Sequence, residues 1–397
     1  MTYRVLFSLF LLVAAGCAAR SRITCEESPA FFRIGPFPAA DAPGHQSRIQ
    51  ACLDGADGAH AVFQFEPGDY VLAGPQGLRV PGHAVLRMEG ARFLLDESIA
   101  EDGQAFLIAN VSDVRLSGGE IIGARHTWDP GVNVAGVRIT GNAGEIHIDA
   151  LACRDLSSNA VGVFGAEDAP VRGVFVTNLT AVNCCNEYRD YLDAHPGPVP
   201  GSDRRDQGTV AFYYVDGWSV ESSRLEGSHS DGTHFFQSRN GRFVNCTVAG
   251  SRMGGYFLEG CENVLACGNL IRDNGSRGVT IERDSRRCTL ASSLVECSGR
   301  EGLWMPDACS VIVADNLFIE NGQKDDGDKD CEIRLDDTDA FATQTRDVRI
   351  EGNIFQSSAH QTAVIFCGPG VSGIETGANT FLGPAPQRHD AALESPK

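Results

Sequence analysis

The sequence predicts an all-β solenoid, and three observations carry that expectation. The stretches "SSRLEG", "NCTVAG", "GNLIRD", "SSLVEC" and "DNLFIE" set Ser223, Cys246, Asn269, Ser293 and Asn316 in one column, at steps of 23, 23, 24 and 23 residues. Two residues on, Leu225, Val248, Ile271, Val295 and Phe318 are all apolar, and Gly208, Gly232, Gly255, Gly278 and Gly302 form a glycine column. Each unit consists of short alternating runs separated by Gly, Asn, Asp and Ser, which means strands and turns with no room for a helix. A unit of this length cannot bury its apolar positions alone, so neighbours must stack, with like residues about 4.8 Å apart.

From the N-terminus, "MTYRVLFSLFLLVAAGC" has one early Arg, an apolar run from Val5 to Ala15 and small residues before Cys17. This pattern is an export signal, shorter than the roughly 20 residues of a spanning helix. Its end resembles a bacterial lipobox, which implies lipidation of Cys17; ordinary cleavage near Ala18 or Ala19 is the alternative. No other run is long enough to span, so membrane attachment is expected only through this end, with the protein in the bacterial cell envelope or secreted. Residues 18–45 read as a linker and residues 384–397 as a flexible tail. Between them, residues 46–383 form one domain. It opens with "HQSRIQACL", a short capping helix, and continues into "VFQFEPGDYVLAGP", a strand with a tight turn at Pro67 to Tyr70. Less regular units on both sides of the clear repeat bring the expected count to roughly ten coils.

The repeat and its Asn column resemble the pectin lyase-like superfamily, and the helix, strand and Pro67–Tyr70 turn resemble the opening of its pectate-lyase-like branch. The resemblance covers roughly Gln46 to Leu382. It implies a single-stranded right-handed parallel β-helix. It does not fix an activity, because that superfamily hosts lyases, hydrolases, epimerases and non-catalytic spikes.

Composition narrows the partners. A net charge of −19, with three Lys against 30 Arg, argues against nucleic acid and disfavours without excluding a polyanionic glycan. Setting Cys17 aside leaves 13 of the 14 Cys, an odd number spread without CxxC pairs, so zinc is not expected and most thiols are expected to be small buried hydrophobes. A monomer is expected.

Alternation after the glycine column turns Thr233 and Phe235, Tyr256 and Leu258, Val279 and Ile281, and Leu303 and Met305 inward. The outward columns are then Val210, His234, Phe257, Thr280 and Trp304, and beside them Phe212, Phe236, Glu259, Glu282 and Pro306, continued by Arg334 and Asp336. Aromatic residues in such a strip suit stacking against sugar rings; a covering loop that makes them a satellite core is the alternative. The excursions "GARHTWDPGVNVAG", "NEYRDYLDAHPGPVPGSDRRDQG" and "GQKDDGDKDC" all fall just before the glycine column, where they would wall a groove.

Glu259 and Glu282, one above the other, form a carboxylate pair able to split into acid and base. Glycoside hydrolysis uses such a pair; a solvated Glu ladder paired with Arg283 or Arg277, or a calcium site, is the plainer alternative. Asp231 in "SDGTHF" is similar to the Asp of polygalacturonase-like enzymes that helps activate water, although Gly254 and Gly255 stand where the resemblance would place the second Asp motif. His234 could orient substrate or assist proton transfer. The resemblance also offers a lyase or C5-epimerase route with an arginine base, Arg283 or Arg334, and calcium drawn to Asp325, Asp326 and Asp328. Three readings result: a paired-carboxylate glycoside hydrolase with no required cofactor, an Arg-based uronate lyase or epimerase with or without calcium, and a glycan-binding solenoid without turnover.

Overall fold

A computed structural model describes residues 29–186 and 207–390, apart from residues 57, 130, 326 and 339. Three parallel sheets of 13, 12 and 12 strands run along the chain, each strand pairing with its equivalent one coil away. A regular coil consists of Thr233–Phe236, Arg239–Val244 and Thr247–Ala249. In the next coil Phe236 pairs with Glu259, Arg239 with Glu262 and Thr247 with Leu270. This is the right-handed parallel β-helix expected, the hand being the one that parallel crossovers adopt.

The tube has more rungs than the roughly ten legible in the sequence, because both ends carry strands outside the regular repeat. Ala30–Ile34 pairs with Ala61–Phe65, with Phe32 stacked on Phe63 at 5.0 Å, so part of residues 18–45 joins the sheet instead of forming a linker. Arg388–Asp390 pairs with Ala363–Cys367, which places part of the expected tail in the solenoid. The helix His45–Asp54 covers the N-terminal end, burying Ile49 and Leu53. Its His45 Nδ1 accepts a hydrogen bond from the Val71 N–H at 3.2 Å.

The column of Cys, Asn and Ser is a hydrogen-bond ladder at one corner. Cys246 N–H donates to Asn269 Oδ1 at 2.9 Å, Asn269 N–H to Ser293 Oγ at 3.1 Å and Ser293 N–H to Asn316 Oδ1 at 2.9 Å. Short polar side chains thus satisfy turn amides that the sheets cannot reach. The described cysteines are free thiols, 9 of 12 buried, as small hydrophobes would be. Among the described residues no helix is long and apolar enough to cross a membrane.

Candidate functional site

The sheet containing Thr233–Phe236 presents its outward face to a cleft of about 430 Å³ lined by both charged and aromatic side chains. Alternation puts His234, Phe257, Thr280 and Trp304 in one outward column and Phe236, Glu259, Glu282 and Pro306 in the other, and pairing Trp304 with Arg334 and Pro306 with Asp336 continues both. The expected face is therefore present for these residues.

One coil departs from it. Val210 pairs with Thr233 and Phe212 with Phe235, so both point into the tube, and Ala211 and Tyr213 take the outward places. Phe212 is fully buried, 5.6 Å from Trp218 and 5.4 Å from Phe235, and it is a core residue, not a sugar platform. The glycine column caused the slip: Gly208, at φ 89°, aligns with Asp231, and Thr209 stands at the Gly232 position. Keeping the 23-residue step across this coil gives the observed register. Phe236 faces outward but joins Phe164, Ala211 and Tyr213 in a satellite apolar cluster, as the covering alternative anticipated.

At the floor of the cleft Glu259 and Glu282 are in-register neighbours, exposed by 7% and 2%. Arg283 bridges them, its Nη1 2.8 Å from Glu259 Oε1 and its Nε 3.0 Å from Glu282 Oε1. His234 Nε2 stands 3.3 Å from Glu259 Oε2, at ion-pair distance but off hydrogen-bond alignment, and its Nδ1 is buried without a partner. The imidazole is held between Tyr213, stacked at 5.4 Å, and the edge of Phe257 at 4.5 Å.

The two carboxyls are displaced in opposite directions. Burial pushes Glu259 up, but His234 and Arg283 outweigh it and hold the group below its ordinary range. Glu282 has no histidine; burial dominates, Arg283 only partly opposes it and Glu259 adds repulsion, so its carboxyl is pushed up to about 7. Below about pH 7 the floor carries one carboxylate and one carboxylic acid, the division of labour that acid–base chemistry needs.

Asp231 lies in the same cleft, but both its oxygens are engaged. Oδ1 accepts from the Gly254 N–H at 2.7 Å and Oδ2 from Gln207 Nε2 at 2.5 Å, so it fixes the turn below the strand. Trp304 is half-buried; its Nε1–H donates to Asp336 Oδ2 at 2.7 Å, and the Arg277 guanidinium covers its ring at 3.8 Å. Arg334 is tied to Asp336 at 2.6 Å and lies over Phe366, which leaves it a strut beside the cleft and not a free base. The partner of Trp304, Arg277, is half-buried and approaches Glu301 Oε2 at 3.3 Å.

Asp325 is exposed and joins no ligand cluster among the described residues; Asp326 and the Asp328 side chain lie outside them, as do Cys17 and residues 187–206 of the longest excursion. A wall that the sequence did not signal comes from the segment after Asp336. Thr343 N–H donates to Asp284 Oδ1 at 3.0 Å, and Phe341 faces Arg283 at 5.8 Å. Only a loop length between two strands announces it in sequence.

The model of the family described as "Right handed beta helix region" matches residues 208–381. No curated protein matches the chain in sequence. Among solved structures, the A-module of mannuronan C-5 epimerase AlgE4 from Azotobacter vinelandii superposes with a TM-score of 0.66 at 14% identity, covering 91% of this chain and 100% of that one. The A-module of AlgE6 from the same organism gives 0.67 at 16% identity, covering 89% and 96%. PfbA, a surface adhesin of Streptococcus pneumoniae, gives 0.64 at 13% identity, covering 88% and 90%. At such identities the likeness is one of fold.

Proposed function

We propose that the chain, which folds as a right-handed parallel β-helix, binds a polysaccharide along the cleft of one sheet and hydrolyses it with Glu282 and Glu259. The observation that carries this reading is the stacked pair itself: two buried carboxyls on adjacent rungs, bridged by Arg283, at the floor of one cleft. Fold neighbours that include two mannuronan C-5 epimerase modules support a polysaccharide as the ligand.

In this mechanism Glu282 delivers its proton to the glycosidic oxygen as the bond to the anomeric carbon breaks. Glu259, kept ionised by Arg283 and His234, attacks that carbon to form a glycosyl ester. A water deprotonated by Glu282 then hydrolyses the ester and restores both groups. Neighbouring rungs are about 4.8 Å apart, the short end of carboxylate spacing, which goes with retention of configuration. Asp231 positions the strand through Gly254, and Phe257 and Trp304 flank the bound sugar. No metal takes part in these steps. The protein acts outside the cytoplasm as a monomer, tethered through a lipid on Cys17.

A second reading, removal of the proton beside a uronate carboxylate, is favoured by one observation. Two guanidiniums, Arg277 and Arg283, and an imidazole with an unpartnered Nδ1 line the same cleft. Incubating the mature protein with neutral and uronic polysaccharides, beside its Glu259→Gln and Glu282→Gln variants, tests the proposal. Release of reducing ends by the wild type and its loss in both variants is expected; equal release by all three would overturn the carboxylate mechanism.

A further inference from the structure

Far from the cleft, the first coils stack three ligating side chains at one corner. His60 precedes the strand Ala61–Phe65, His83 precedes Ala84–Arg87, and Asp113 lies at the start of Ser112–Ser117. These strands are consecutive rungs of one sheet, so the three residues rise in a short column. His83 Nδ1 is 3.2 Å and His60 Nδ1 3.8 Å from the same Asp113 Oδ2, and the imidazole rings are 4.6 Å apart.

We propose that His60, His83 and Asp113 bind a divalent transition-metal ion of the zinc class, clamping the first three rungs together. The donor set is the first reason: two imidazoles and one carboxylate suit zinc and its neighbours, whereas calcium takes oxygen ligands. The spacing is the second. All three ligand atoms lie within 4.8 Å of one another; donors placed about 2.0–2.2 Å from a tetrahedral ion are themselves a little over 3 Å apart, so only small side-chain rotations are needed.

Backbone pinning is the third reason. Ala30 N–H donates to His60 O at 2.9 Å, Ala61 N–H to His83 O at 3.0 Å and His83 N–H to Ser112 O at 3.0 Å, so the sheet itself fixes two of the three ligand positions. Among the described residues the ion-pair partners of Asp113 are these two histidines, with no Arg or Lys to displace. The side chains are 69%, 46% and 44% exposed, which leaves a coordination place open to water and makes the site a solvent-facing clamp.

Calorimetric titration of zinc chloride into the full chain tests this, with calcium chloride as the contrasting ion. His83 has φ 56° and Asp113 φ 56°, a left-handed conformation that asparagine tolerates well among residues other than glycine, so His83→Asn and Asp113→Asn remove ligands without straining the turn. The expected result is one zinc bound per chain, a thermal midpoint raised by a few degrees, at least about tenfold weaker binding in each variant and no response to calcium. Unchanged midpoints of the metal-free variants show that they fold. Absence of zinc binding by the wild type, or zinc binding of equal affinity in the double variant, would overturn the proposal.

Discussion

Replacing Glu282 by Gln separates chemistry from stability. Glu282 is 2% exposed, and burial, against the pull of Arg283 and with the push of Glu259, moves its carboxyl from 4.5 to about 7. The folded protein therefore keeps a proton that the unfolded chain releases. Stability from this proton is fully present below pH 4.5 and is lost as the pH rises through about 7. At about 1.4 kcal/mol for each pKa unit, the loss is about 3 kcal/mol. The amide of Glu282→Gln does not titrate, so the variant lacks this fall while its rate drops by at least about 100-fold. The assay compares urea midpoints of both proteins from about pH 4.5 to above pH 7, together with reducing-end release. Glu332, also pushed up to about 7 by burial, lowers stability over the same range in both proteins, so the difference between their curves isolates Glu282. A variant that follows the wild-type pH dependence, or keeps its rate, would refute the reasoning.

Arg283→Asn removes the bridge between the carboxyls; the rate is expected to fall by about 100-fold, as when a preorganised donor is lost, and the acid limb of the pH–rate profile to move up as Glu259 loses a stabilising cation. The wild-type rate itself falls above about pH 7, where Glu282 ionises, which a pH series of initial rates reads directly. Trp304→Ala weakens glycan binding by about five- to tenfold, the scale of one aromatic contact, as measured by affinity electrophoresis. Phe212→Ala opens the core beside Trp218 and Phe235, destabilising its coils by about 3–5 kcal/mol in urea titration, with glycan affinity unchanged while the protein is folded.

The solenoid was legible because its apolar and Asn columns are selected by stacking, which repeats identical demands on every rung. Glu259 and Glu282 were legible for the same reason: the register follows from the step between coils, and alternation decides which side chains face out. Phe212 was misplaced where a glycine at φ 89° interrupts that step; a local turn conformation is invisible to periodicity. Arg283 and Arg277 were named beside the pair from sequence, but their geometry was harder to see. That Arg283 bridges both carboxyls depends on its left-handed backbone at φ 51° just past the strand, and that Arg277 covers Trp304 depends on a side-chain path across two coils. Asp231 looked catalytic because its motif carries chemistry elsewhere, yet here Gly254 N–H and Gln207 occupy its oxygens. The end strands Ala30–Ile34 and Arg388–Asp390 belong to no repeat, so only their pairing reveals them.

The most direct test of the paired-carboxylate account is the chemistry of the product. Digestion of neutral and uronic polysaccharides, with and without calcium, is followed at once by reducing-end release and by near-ultraviolet absorbance. The account predicts new reducing ends without absorbance, independent of calcium and abolished by Glu282→Gln. Absorbing unsaturated ends that persist in Glu282→Gln would contradict it and move the chemistry to the arginines.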